Sequence, residues 1–173
     1  MAILVTCSSR HGATAREAEA IGTAIAEDGT FVDILPMKQV ADLSHYHAII
    51  DRSAIQSAQW LPEAAEFLWK NQTVLALIPC AMFSVCMTLA MPNGEKYRDG
   101  IRYWEEPLRC QIRPVSEKFF AGILDIKKVP AFSHRLKFRI SMASGVWKEG
   151  DHRNWQKILE WAQEAGRLLK VEV

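Results

Sequence analysis

The run Ser8-Ser9-Arg10-His11-Gly12-Ala13-Thr14 has the chemistry of an anion cradle. The hydroxyls of Ser9 and Thr14 can donate hydrogen bonds, Gly12 lets a ligand approach the backbone, and Arg10 and His11 can add positive charge. The run follows an apolar stretch at residues 2–7 and precedes an amphipathic one at residues 13–27. It is therefore expected to open a helix, whose first N–H groups and dipole favour a phosphate. The Lys-Ser/Thr pair of a P-loop is absent, and so is a G-x-G-x-x-G fingerprint, so a single phosphate fits better than a pyrophosphate. Spacing alone leaves a second reading open, in which Ser9 and Thr14 only cap the helix.

The elements that must position this loop alternate along the chain. Residues 2–7 read as a strand buried on both faces, followed by a helix at 13–27 with Ala18, Ile21, Gly22 and Ile25 on one stripe. Further strands are expected at 30–35, 46–51 and 73–79, and within 115–124 around Phe119-Phe120-Ala121-Gly122-Ile123. Helices are expected at 61–70, at 97–110 with Pro107 ending or kinking it, and at 151–169. Trp155, Ile158, Leu159, Ala162, Ala165 and Leu169 are the expected inward residues of the last helix. This alternation predicts an α/β fold, a doubly wound five-stranded parallel sheet with helices on both faces. In such a sheet ligands sit beyond the carboxyl ends of the strands, so the loops to search are 8–14, 51–60 and 80–96.

Length and composition fit this reading. A chain of 173 residues that is 49% hydrophobic and 24% charged suits one folded domain, spanning 1–173, and excludes a disordered chain. The net charge is only +1, so no global field points to nucleic acid. The total conceals an asymmetry: residues 126–148 hold six Lys or Arg and no Asp or Glu, which leaves −5 for the rest. Cys7, Cys80, Cys86 and Cys110 form no C-x-x-C pair and read as reduced, mostly structural thiols of a cytoplasmic protein. The start Met1-Ala2-Ile3-Leu4-Val5 reads as a strand and not as a signal peptide. No apolar run reaches the roughly 18 to 20 residues of a spanning helix. The histidines show no metal-ligand spacing, no metal is expected, and neither a Ser-His-Asp arrangement nor paired carboxylates can be argued.

Val5-Thr6-Cys7-Ser8-Ser9-Arg10-His11-Gly12-Ala13-Thr14 resembles the flavodoxin phosphate loop, a Ser/Thr-x-x-Gly-x-Thr pattern after the first strand. Three other segments resemble the branch of flavodoxin-domain proteins that includes menaquinone-dependent protoporphyrinogen dehydrogenase. They are Ala81-Met82-Phe83-Ser84-Val85, Phe120-Ala121-Gly122-Ile123-Leu124 and Asp151-His152-Arg153-Asn154-Trp155. The resemblance covers nearly the whole chain. It implies a flavodoxin-like fold, FMN as cofactor, and Ser9, Arg10, His11, Gly12, Ala13 and Thr14 around its phosphate. For the flavin ring, Gln56 and Trp60 are the natural contacts, with a hydrophobic staple as the other reading of Trp60. The resemblance further implies that Phe83, Ser84, Val85 and Cys86 lie beside the ring with backbone N–H groups facing its polar edge. A cysteine between Val85 and Met87 also reads as a small buried hydrophobe. The chain departs from the family at Asp51-Arg52, where a small or glycine-containing turn is usual, and at Ala58, where glycine is expected.

A basic insertion occupies about 125–148. Val129, Phe132, Leu136, Ile140 and Ala143 fall at helical spacing, with Lys128, Arg135 and Arg139 to one side, so the segment reads as a short cationic amphipathic helix or an ordered long loop. Three roles fit residues 127–143: a solvated helix packed on the domain, a contact for an anionic substrate or acidic partner, or a contact with an anionic membrane surface. In the resembling branch an insertion here accompanies work with a quinone pool. The functional expectation is an FMN-dependent oxidoreductase, protoporphyrinogen-dehydrogenase-like, with a small-molecule or quinone redox partner. It would be cytoplasmic or peripheral at the inner face of the membrane. The alternatives are a flavodoxin-type electron carrier, which the absence of strong acidity disfavours, and a flavodoxin-fold binding protein that has lost flavin. The tryptophans and the amphipathic insertion are compatible with a homodimer.

Overall fold

The computed structural model describes residues 2–8, 13–56, 59–128 and 132–171. Strands β1 (Ala2–Cys7), β2 (Phe31–Pro36), β3 (Ala48–Gln56), β5 (Cys80–Val85) and β6 (Ser116–Phe120) form a parallel sheet in the order β2-β1-β3-β5-β6. A two-residue strand, β4 (Gln59–Trp60), adds to the sheet by pairing antiparallel with the end of β3. Helices α1 (Ala13–Ala26) and α5 (Trp155–Val171) cover one face, and α2 (Pro62–Leu75) and α3 (Arg98–Ile112) the other. The expected doubly wound α/β sheet is present, with five parallel strands and β4 as an addition.

Each face has its own core. Ile3, Val5, Ile50 and Phe83 project to the α1/α5 side, where Phe83, Phe120 and Trp161 meet in tilted and edge-on pairs with centroids 5.2 to 6.0 Å apart. Leu4, Ile49 and Met82 project to the α2/α3 side against Leu68, Leu108 and Trp60. Successive residues of β1 are thus buried on alternate faces, which explains its unbroken apolar run. At Gly22 of α1 a side chain would collide with β2, since a Cβ there would stand 2.5 Å from Ile34 Cδ1.

Several elements differ from expectation, each for a physical reason. Residues 73–79 are not a strand: α2 continues to Leu75, because Ala64, Phe67, Leu68 and Leu75 keep helical spacing on the buried side. The strand is instead Cys80–Val85, built from small residues, Met and Phe. β3 starts at Ala48 and runs on to Gln56, so Asp51 and Arg52 lie inside a central strand and not in a turn. Helix α3 passes through Pro107; the carbonyl of Tyr103, which loses its donor there, lies on the exposed side of the helix. In α5, Trp155 and Leu159 are partly exposed, while Ile158, Trp161, Ala162, Ala165 and Leu169 are buried. Beyond the sheet, β7 (Ile123–Leu124) and β8 (Gly150–Asp151) pair antiparallel and close off a segment that contains α4 (Phe132–Ala143).

Candidate functional site

β1 has β2 on one side and β3 on the other, and the chain leaves β1 for α1 on one face and β3, through β4, for α2 on the other. This divergence makes the crevice at the carboxyl edge of β1 and β3 the switch point of the sheet. The candidate phosphate cradle sits there by connection, since β1 ends at Cys7 and α1 begins at Ala13. Ala13 and Thr14 form the first turn of α1, whose N–H groups have no partner within the helix. Ser9, Arg10, His11 and Gly12 lie outside the described residues, as do Ser57 and Ala58. Ser8, the last described residue before the cradle, donates its N–H to the Arg52 carbonyl at 3.1 Å. Its Oγ is buried without a hydrogen-bond partner among the described residues. A hydroxyl left over at the mouth of this turn fits a ligand with acceptor oxygens, such as a phosphate or a sugar alcohol.

The residues expected around a flavin ring fare differently. Gln56 ends β3 at the carboxyl edge. Trp60 is only 6% exposed, packs in the α2/α3 core and donates its indole N–H to Glu105 Oε1 at 2.8 Å. It therefore acts as the hydrophobic staple onto α2, and its ring is not free to stack on a flavin. Phe83 and Ser84 lie within β5, between β3 and β6, and Phe83 is 0% exposed in the aromatic cluster. The Cys86 N–H donates to the Phe120 carbonyl at 3.0 Å, so this amide is engaged by the sheet and does not face a ligand. Cys86 is buried beside Ile101 and Phe119, as a small hydrophobe would be. Val85 ends β5, and the 3-10 turn Met87–Ala90 then carries the chain along the same edge with partly exposed side chains.

The strand residues read as an aberrant turn prove to be the most unusual feature of the region. Arg52 points to the α1/α5 face, 2% exposed, and forms an ion pair with Glu17 of α1. Its guanidinium also lies 5.4 Å from the centroid of Phe83. Arg153, held bidentately by Asp151, approaches Glu17 Oε1 at 3.7 Å. Burial lifts the Glu17 carboxyl above its ordinary range, with Arg52 and Arg153 pulling it back. Burial likewise brings Arg52 down to about 10, against the pull of Glu17, so Arg52 is still a cation at neutral pH. The network ties β3, α1 and the Asp151–Arg153 segment together.

Asp51 points to the other face, and both its carboxylate oxygens lack hydrogen-bond partners among the described residues. Burial pushes its pKa well above the ordinary carboxylate range, and Glu105 adds to the rise. Glu105 of α3 is itself raised to about 7 by burial. These two buried acids are the carboxylates that sequence reasoning missed. Neither spacing nor hydropathy shows that an acid at position 51 of a strand and one at position 105 of a helix are both buried. The one available signal was an Asp inside an otherwise buried strand.

The order of the parallel strands and the crevice beside β1 define a flavodoxin-like doubly wound fold. A family profile described as "Flavodoxin domain" matches residues 4–152, and the chain belongs to this family. No curated protein matches the chain in sequence. Among solved structures it is similar to a flavodoxin from the domain Archaea, with 17% identity, a TM-score of 0.54, and coverage of 98% of this chain and 99% of that one. It is similar to the flavodoxin of Streptococcus pneumoniae TIGR4, with 12% identity, a TM-score of 0.57 and coverage of 99% of each chain. It also resembles the rubredoxin oxygen:oxidoreductase of Desulfovibrio gigas, with 16% identity and a TM-score of 0.55, covering 99% of this chain and 36% of that one. At these identities the likeness concerns the fold.

Proposed function

We propose that the chain binds FMN at the carboxyl edge of β1 and works as a flavin-dependent oxidoreductase. The observation that carries this is the place of the Ser-x-x-Gly-x-Thr run: it falls between the end of β1 and the start of α1, at the switch point, beside the Ser8 hydroxyl, which has no partner among the described residues. The hydroxyls of Ser9 and Thr14, the backbone at Gly12 and Ala13, and the charges of Arg10 and His11 would hold the phosphate. Gln56 and the edge from Val85 through the Met87–Ala90 turn would flank the ring. FMN, when bound, supplies one- and two-electron transfer. The chain's own part is to orient it, shield one side of it and leave the other open to a partner.

The charge distribution supports an enzyme over a carrier. A carrier steered to basic partners gains from a strongly acidic surface, whereas this chain is near neutral with a +6 stretch. The resemblance to the protoporphyrinogen-dehydrogenase branch makes protoporphyrinogen as donor and a quinone as acceptor the first pair to assay.

The test is reconstitution of the purified chain with FMN. A yellow protein with a band near ~450 nm and saturable quenching of FMN fluorescence is expected. The variant Ser9→Ala/Thr14→Ala, which removes two donors to a charged group, should weaken binding by about tenfold or more. A protein with native circular dichroism that neither takes colour nor quenches FMN would overturn the proposal.

A further inference from the structure

The segment between β7 and β8 carries a surface that the flavin site does not use. Its two ends are pinned together, since Ile123 pairs with Asp151 and Leu124 with Gly150. The Ile126 N–H also donates to Glu149 Oε1 at 3.1 Å, across the base of the segment. Inside it, α4 packs Phe138 edge-on against Trp147, with centroids 6.0 Å apart. Two residues along a helix is about 200° around it, so positions 136 and 140 face away from that contact. Leu136 is 49% and Ile140 63% exposed. The two residues share a stripe at helical spacing, and that stripe faces outward.

The outward ridge is therefore Leu136 and Ile140, one turn apart, with Arg139 exposed beside it and Lys127 and Lys148 exposed at the ends of the segment. No Asp or Glu occurs between Ile126 and Lys148. A stable protein interface buries about 800 Å² per partner around an apolar centre, which two side chains do not supply. An anionic lipid surface asks for less: a short apolar ridge that enters the headgroup boundary, and cations level with the headgroups. We propose that α4 docks on an anionic lipid surface, with Leu136 and Ile140 inserted and Arg139, Lys127 and Lys148 against the acidic headgroups. The contact is peripheral, since among the described residues no helix is long and apolar enough to cross a membrane.

The test is co-sedimentation of the full chain with vesicles of phosphatidylcholine alone and of phosphatidylcholine with phosphatidylglycerol, at low and high salt. Binding is expected only with phosphatidylglycerol present, and it should fall as salt rises. Leu136→Ser/Ile140→Ser should lower the partition coefficient by about tenfold. Replacing Lys127, Arg139 and Lys148 with Gln should lower it by about fivefold per charge. Circular dichroism and melting temperature should match the parent for both variants, because every altered side chain is exposed. Absence of binding to the acidic vesicles overturns the proposal, as does equal binding to neutral ones or an unchanged partition in the Leu136/Ile140 variant. Retention on polyglutamate without vesicle binding, or a dimer that the Leu136/Ile140 variant dissolves, would assign the surface to an acidic protein or a second copy and likewise overturn it.

Discussion

Asp51 and Arg52 are chain neighbours on one central strand, yet the two faces of the sheet bury them by opposite means. On the α1/α5 face Arg52 stays charged and is matched by Glu17, with Arg153 behind it. On the α2/α3 face burial raises the pKa values of Asp51 and Glu105, the latter to about 7, with Trp60 as hydrogen-bond donor to Glu105. Charge is tolerated in this interior where a partner of opposite sign meets it; where burial leaves an acid without a cation beside it, the neutral form is favoured. The first arrangement should be sensitive to removal of either partner. The second should respond to pH and tolerate neutral isosteres.

The largest effect should come from breaking the pair. Arg52→Met leaves Glu17 buried with only the more distant Arg153, and should cost about 3 to 5 kcal/mol in urea denaturation. The double variant Glu17→Leu/Arg52→Met removes both charges and should recover most of that loss. If the single variant is as stable as the parent, the charge-paired half of the comparison is wrong.

The next effect is the pH dependence of Glu105. Glu105 is raised from 4.5 to about 7, so between those values the folded protein holds a proton that the unfolded chain has lost. Its contribution is therefore full below about pH 4.5 and is lost as pH rises through about 7, on the order of 3 kcal/mol in all. Glu105→Gln mimics the protonated form and should flatten that limb of the stability–pH curve. A parent curve that rises from pH 5 to 8, with Glu105→Gln showing the same rise, would contradict the assignment.

Trp60→Phe removes the donor to Glu105 Oε1 and should cost about 1 to 3 kcal/mol by thermal or urea unfolding. The smallest effect is expected of Asp51→Asn. The amide is nearly isosteric with a protonated carboxyl, so at pH 5 stability should change by less than about 1 kcal/mol. A much larger loss would mean that Asp51 is ionised and relies on a cationic partner.

Much of the fold was legible in the sequence, because burial on both faces leaves unbroken apolar runs such as Ile3-Leu4-Val5 and helices keep a stripe such as Ala18, Ile21 and Ile25. The failures have particular causes. Thr73-Val74-Leu75 has strand-like composition but completes a helix whose buried stripe began at Ala64. Cys80-Ala81-Met82-Phe83-Ser84-Val85 has little β-branching, yet it is a central strand because neighbours on both edges and both faces cover it. Asp51-Arg52 looked like a turn because hydropathy cannot foresee a buried charge whose partner is 35 residues away at Glu17. Of the candidate site, the place of the Ser-x-x-Gly-x-Thr run between the first strand and the first helix was readable. The ring side was not: tertiary packing draws Trp60 and Phe83 into the two cores, and no local pattern marks that choice.

The central claim is that the β1–α1 turn holds a phosphate, and comparing FMN with riboflavin tests it most directly. The two share the ring and the sugar chain and differ only in the phosphate. Calorimetric titration of the full chain should give one site that binds FMN at least about tenfold more tightly than riboflavin. Equal affinity for the two, or no binding of either by the folded chain, would contradict the account.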